Sequence, residues 1–230
     1  MKILGTFLSI VFVLSAPALA QDVARTISVN GVGVVQAEPD MAVINLGVTR
    51  NARTAAAAMD ATSLATSKVL DAITDAGVAP IDVQTSSVNL SPRWDHTKNG
   101  PPVLAGYIAS NTLTLRVRDL TNLPQVLDAV VGTGANSMNG LTLTVAEPRP
   151  LEDEARQLAV RDARAKAELL AETAGVALGG VVSIAEGGGA TPPAPMMRAA
   201  VMEQATAVPI ASGQVEYRIS VGVVFDIDAQ

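Results

Sequence analysis

The chain has 230 residues, no cysteine, and a formal net charge of −6 from 22 acidic and 16 basic residues. Disulfides, zinc–thiolate sites, a cysteine nucleophile and a lipid-bearing cysteine anchor are thereby excluded. Scattered basic residues and an aromatic share of 3% also argue against nucleic acid as a partner, since such binding needs phosphate neutralisation or stacking platforms.

Met1-Lys2 gives a short positive start, residues 3–14 are almost wholly apolar, and Ala18-Leu19-Ala20 precedes the polar Gln21-Asp22. These are the three regions of a secretory signal peptide, with cleavage expected after Ala20. The apolar run is short against the roughly 20 residues that a membrane-spanning helix needs. The working domain is therefore expected over 21–230, outside the cytoplasm, and without disulfides it must rely on packing and on oligomerisation for stability.

Residues 26–35 alternate apolar and small or polar side chains, as a strand does. Ala37-Glu38-Pro39-Asp40 reads as a turn and 41–49 as a second strand, so the two suggest an antiparallel hairpin. Thr54 opens a long helix with Ala55, Met59, Thr62, Ala65, Val69, Ala72, Ile73 and Ala76 on one face, and Gly77 stops it. Strands are expected over 82–90 and 106–117, separated by a loop over 91–105 rich in proline, glycine and polar residues. A shorter helix over 123–131 ends at Gly132 and Gly134, and a strand follows over 137–146.

Pro150 begins the clearest helix, which ends at Ala174-Gly175. Glu152, Asp153 and Glu154 sit in its first turn, where the macrodipole favours negative charge. Glu152 with Arg156 and Asp162 with Lys166 form i,i+4 pairs. Ala155, Ala159, Ala163 and Ala167 form a ridge of small residues suited to close packing on a sheet. Strands at 181–185 and 215–227 flank a low-complexity insertion, 187–212, that lacks an apolar period and is expected to be mobile. The fold class is therefore α+β, with mixed or antiparallel sheets, two long helices and one short helix, in the order β-β-α-β-β-α-β-α-β-β. It divides into two α/β lobes, about 25–92 and about 106–228, with the boundary near 93–106.

Few residues invite a chemical reading. Gly31-Val32-Gly33 lacks the third glycine and the following helix of a dinucleotide loop, so it marks a bulge or a close backbone approach. His96 is the sole histidine, in an irregular stretch, and no Gly-x-Ser-x-Gly elbow accompanies it. The first-turn carboxylates are explained by the helix dipole. No catalytic, cofactor-binding or metal-binding residue is assigned. Contact candidates are the sole tryptophan, Trp94, with Tyr107, and Met196, Met197 and Met202 in the insertion. Trp94 reads either as a contact surface or as a ring folded back onto the core. The methionines read as a soft-metal site, an adaptable contact, a sacrificial oxidation surface or an ordinary loop.

The string Gly33, Pro39-Asp40, Gly77-Val78, Asp82-Val83-Gln84-Thr85 and Leu90-Ser91-Pro92 resembles the first half of the SIMPL domain family. Gly106-Tyr107, Ser110-Asn111, Arg118-Asp119-Leu120, Gly134-Ala135-Asn136 and Glu154-Ala155-Arg156 continue the resemblance. It ends through Asp162 to Ala171, Gly175-Val176, Leu178-Gly179, Ile184, Glu186, Pro209-Ile210 and Gly213. The resemblance implies a periplasmic, outer-membrane-associated or secreted bacterial protein, antigenic in some members and linked to oxidative-stress defence. It also implies ring-like or channel-like homo-oligomers and supplies no catalytic residues. The expectation is thus a non-enzymatic protein whose main partner is itself, through strand edges such as 215–225 and the alanine-rich helix, with an envelope or membrane contact besides. The rival expectations are a ligand- or soft-metal-binding module using the methionine loop and His96, and an enzyme working with carboxylates and hydroxyls.

Overall fold

The computed structural model describes residues 25–96, 100–187, 194–196 and 211–229. Eleven elements follow in chain order: β1 (Thr26–Ala37), β2 (Met41–Ala52), α1 (Ala55–Asp75), β3 (Val83–Asp95), β4 (Val103–Val117), α2 (Leu123–Thr133), β5 (Ser137–Thr144), α3 (Arg149–Ala174), β6 (Val176–Glu186), β7 (Ala194–Met196) and β8 (Gln214–Ala229). They form two antiparallel sheets, an α+β architecture in the order read from the sequence. One sheet runs β3-β4-β2-β5, and the other runs β1-β8-β6 with β7 also on β8.

The first sheet packs its β2 and β4 side chains against α1 and α2. Ile44, Leu46, Val48, Leu113 and Leu115 meet Val69, Ile73, Val126 and Val130 in one core. Thr54 caps α1 by accepting a hydrogen bond from the Ala57 N–H, and Gly77 leaves the helix with φ +86°. Asn122 closes the same end by donating its amide to the Ala76 carbonyl at 2.7 Å. Asn136 acts as a strand extension of β5. Its side chain accepts from the Thr49 N–H at 2.8 Å and donates to the Thr49 carbonyl at 3.0 Å, pairing the open edge of β2 beyond the last backbone contact.

The second sheet carries α3, and here the small-residue ridge decides the geometry. Ala155, Ala159, Ala163 and Ala167 are fully buried over Val29, Ile219, Val221, Val223 and Phe225. Gly31 and Gly33 of β1 lie directly beneath. A Cβ on Gly31 would stand 2.0 Å from the Ala159 carbonyl oxygen, and one on Gly33 would stand 1.9 Å from that of Ala155. The helix sits where a side chain would otherwise be, so the glycines mark a close approach of backbone to backbone.

Three sequence expectations are corrected. β1 and β2 form no hairpin: β1 pairs with β8, and β2 lies between β4 and β5. The turn through Pro39 instead carries the chain from one sheet to the other. It is fixed there because the Asp40 N–H donates to the Thr144 carbonyl and Asp40 Oδ1 accepts from the Ala146 N–H. The strands on either side of the expected lobe boundary at 93–106, β3 and β4, pair along their length. The stretch 91–105 is not all loop. Both strands run into it, to Asp95 and from Val103, as a two-stranded arm beyond the end of β2. Finally, β8 is not a free edge over most of its length, since it pairs with β1 over 215–226 and with β7 and β6 over 214–216 and 221–229, and the alanine ridge is buried against its sheet. The insertion 187–212 and the expected signal peptide fall, almost wholly and wholly, outside the described residues.

Candidate functional site

Partners across an antiparallel ladder project to the same side of the sheet, which places the residues of the β3–β4 arm. Leu90 pairs with Ala109 and Val88 with Asn111. Ala109 belongs to the side covered by α1, whose Thr62 hydroxyl donates to the Ala109 carbonyl at 3.2 Å. Val88, Leu90, Pro92 and Trp94 therefore follow one another at the strand period along the helix-bearing side, with Tyr107 opposite Pro92 and Leu104 opposite Trp94.

Helix α1 packs mainly on β4 and β2 and less on β3, and among the described residues the stripe stays largely uncovered. Val88 is 51% exposed, Leu90 45% and Trp94 50%. Val88, Leu90 and Pro92 lie where β2 still backs β4, and only the stretch past Pro92, with Trp94, is a two-stranded ribbon, a form marginal in water when isolated. Trp94 and Tyr107 are brought onto this one surface, Trp94 exposed and Tyr107 half-buried. His96 is exposed just beyond the end of β3. Met196 lies in β7, with nothing described of its side chain, and Met197 and Met202 lie outside the described residues.

Several charged groups are engaged in structure. Arg156 binds Asp153 at 2.7 Å and Glu186 at 3.1 Å, with Glu152 at 3.8 Å, tying the first turns of α3 to the end of β6. Asp82 is buried and receives two hydrogen bonds from the Arg118 guanidinium, at 2.7 and 2.8 Å. That arginine holds the Asp82 carboxyl below the usual aspartate range, against the opposing effect of burial. The pair lines a shallow cavity of about 180 Å³ together with Arg116, Asp119 and Asn122. A second cavity, about 240 Å³, is lined by Leu120, Leu123, Pro124, Leu143 and Ser212 and holds no titratable group. Among the described residues no three His, Cys, Asp or Glu side chains converge to hold a metal ion, and no described helix is long and apolar enough to cross a membrane.

Sequence reading did not single out the Asp82–Arg118 pair or the stripe as a unit. The signal for the stripe was present, since Val88, Leu90, Pro92 and Trp94 alternate with polar residues, but the expected strand ended at Leu90, because proline and the lack of a neighbouring apolar run made 91–105 read as loop.

The fold defines a class: an α+β protein of two antiparallel sheets, each packed against helices. The chain belongs to the SIMPL family (protein of unknown function, DUF541), whose model matches residues 27–225. It is 41% identical over 227 residues to the 26 kDa periplasmic immunogenic protein of Brucella melitensis, covering 93% of this chain and 91% of that one. It is 34% identical over 155 residues to the uncharacterized protein YggE of Edwardsiella ictaluri, covering 67% and 65%. Against YggE of Escherichia coli K12 it is 27% identical over 205 residues, covering 86% and 82%.

Proposed function

We propose that this is a non-enzymatic protein of the periplasm that assembles with copies of itself into a ring- or channel-like oligomer and so supports the envelope. The observation that carries the reading is the bare apolar stripe of the β3–β4 arm. A soluble protein exposing a half-accessible tryptophan beside Val88 and Leu90 gains by covering them, at roughly 25 cal/mol per Å² of apolar surface removed from water. A periplasmic site is supported by the name of the Brucella relative. Defence against oxidative stress follows in this reading from envelope integrity, with no substrate turned over.

Light scattering coupled to size exclusion tests the assembly. A discrete multiple of the chain mass that persists on dilution is expected. A monodisperse monomer at tens of micromolar overturns it. For the physiological role, a strain lacking the protein should become sensitive to detergent and peroxide together, whereas peroxide sensitivity alone would point to chemistry instead.

A further inference from the structure

A sheet edge presents a row of unpaired main-chain groups, and natural edges carry devices that blunt them. The edge strands here are β1 and β6 in one sheet, with the three-residue β7 also on β8, and β3 and β5 in the other. On β1 the Val32 N–H donates to Asp162 Oδ2 at 2.8 Å, and Lys166 Nζ donates to the Asn30 carbonyl at 3.0 Å, so side chains of α3 already fill outward positions. β5 has eight residues, and its register with β2 shifts between Asn45 and Leu46. β6 shifts register against β8 twice, between Leu178 and Val181 and again between Val181 and Ser183. Bulges of this kind twist an edge away from regular pairing. β3 is different. It holds an unbroken register with β4 from Ser87 to Arg93, and residues 83–92 carry no charge. Among the described residues no strand pairs with its outer side.

The direction of the β3 main chain follows from its neighbours. Thr49 turns both its N–H and its carbonyl toward Asn136, away from β4. Residues opposite each other in an antiparallel pair alternate between exchanging both main-chain bonds and exchanging none. Ser110, opposite Thr49, therefore turns its main-chain groups toward Asn89 of β3. Ser86 Oγ donates to the Thr112 carbonyl at 3.1 Å, which agrees, since Thr112 shares the phase of Ser110. The same alternation points the N–H and C=O groups of Val88 and Leu90 outward. Pro92 falls on that outward phase, where an edge strand tolerates a residue without a donor, and it ends the open run. Val88 and Leu90 thus keep two outward donors and two acceptors. They also place half-exposed apolar side chains on the helix-bearing side, while Ser87, Asn89 and Ser91 take the other side. Unpaired main chain and a bare apolar row coincide on the same two residues.

We infer that this edge takes a short extended segment of an unfolded polypeptide, added as a strand beside residues 87–91, and that the protein thereby keeps unfolded chains from aggregating. The chemistry selects the occupant. An extended backbone offers donors and acceptors in alternation at the strand spacing, whereas hydrocarbon of a lipid surface would leave all four outward groups unsatisfied. The segment carries apolar side chains at every second position, beside Val88 and Leu90, and small or polar ones between, beside Ser87, Asn89 and Ser91. It is neutral or basic, since residues 83–92 hold no cation to answer an acidic one and the whole chain has net charge −6. In a folded protein such a segment has its main-chain partners already, and in an unfolded one it does not. A second copy covering the stripe has only its own β3 to offer this row, because its β1, β5 and β6 are blunted, and two chains of charge −6 oppose that approach. Such binding lies beyond self-assembly: a bound segment displaces any neighbouring copy from the stripe.

The test uses the full chain and a fluorescein-labelled peptide of alternating valine and threonine flanked by lysines, followed by anisotropy. Saturable binding is expected. The same peptide N-methylated throughout keeps its side chains, loses its main-chain donors and should bind about tenfold more weakly or worse. Leu90→Pro removes one outward donor, and Leu90→Lys sets a charge on the edge. Each should weaken the peptide about tenfold or more with an unchanged circular dichroism spectrum. The wild type should also hold down the light scattering of heat-unfolded citrate synthase, and both variants should lose that effect. Equal affinity for the N-methylated peptide reduces the contact to side chains and overturns strand addition. No peptide binding where light scattering reports a single chain overturns the inference and leaves self-assembly standing. A dimer that Leu90→Lys dissociates, with no peptide bound, overturns it in favour of β3 against β3. Phosphatidylglycerol vesicles that bind the wild type and displace the peptide give the edge to a membrane and overturn it too. A wild type that is monomeric at tens of micromolar yet binds the peptide supports the inference and removes self-assembly.

Discussion

Gly33 lies so close beneath Ala155 that a methyl group placed on it would fall 1.9 Å from the Ala155 carbonyl oxygen. The contact is backbone against backbone, so no rotamer change relieves it. Gly33→Ala, or Gly31→Ala under Ala159, must lift α3 from β1 and open the core of the second sheet. The expected cost is about 3 kcal/mol. At about 2–4 °C per kcal/mol for a chain of this size, calorimetry should show a melting temperature lower by on the order of 10 °C. A shift under 2 °C would show that the helix floats freely on the sheet.

The Asp82–Arg118 pair predicts acid sensitivity of a definite sign. The folded-state pKa of Asp82 is depressed, so its contribution is fully present above the unfolded value of about 3.9. It is lost as pH falls through the lower folded value. Asp82→Asn should therefore melt several degrees below wild type at pH 7, and the gap should narrow below about pH 4. A gap independent of pH would mean that the side chain serves by shape alone.

Asn136 pairs with the Thr49 backbone through both of its amide groups. Asn136→Ala removes two hydrogen bonds at the end of β5 and should cost about 1–2 kcal/mol in urea unfolding. Asn136→Asp retains the acceptor but not the donor and should recover part of the loss at neutral pH. Equal stability of all three proteins would remove the strand-extension role.

Trp94 is the sole tryptophan and sits half-exposed on the arm, so its fluorescence reports on that surface directly. On assembly the emission should shift to the blue, and dilution or mild denaturant should reverse the shift before the circular dichroism changes. Trp94→Ala should weaken self-association about tenfold or more while leaving the melting profile of the dissociated chain unchanged. Emission that stays at the wavelength of solvated indole in the assembled protein would exclude the arm from the contact.

Secondary structure was legible in the sequence where a local rule sufficed. Thr54 and Gly77 bracket α1 because capping involves residues a few positions away. The alanine ridge of α3 announced a close approach to a sheet, and Gly31 and Gly33 announced a bulge or a close backbone approach, but nothing in the sequence joined the two. Strand partners were not legible. Pairing β1 with β8 joins residues at opposite ends of the chain, and period-2 alternation is the same for any partner. The arm was misread for a related reason, as proline and polar residues are loop-like by composition but are tolerated in an edge strand.

By itself the sequence determined the class, the element order, the absence of thiol chemistry and the family. Each depends on composition, local periodicity or ordered strings of residues, all of which are properties of the chain. Only the tertiary structure decided which edges are closed and which are open. Asp162 and Lys166 read along the chain as an ordinary i,i+4 ion pair, Val88 and Leu90 as part of a strand, and Trp94 as a loop residue either in contact with a partner or folded onto the core. Their meaning comes from what lies across space from them. One pair meets the backbone of a strand 130 residues earlier in the chain, and the other three meet no covering layer, because a helix covers only the width of sheet on which it rests.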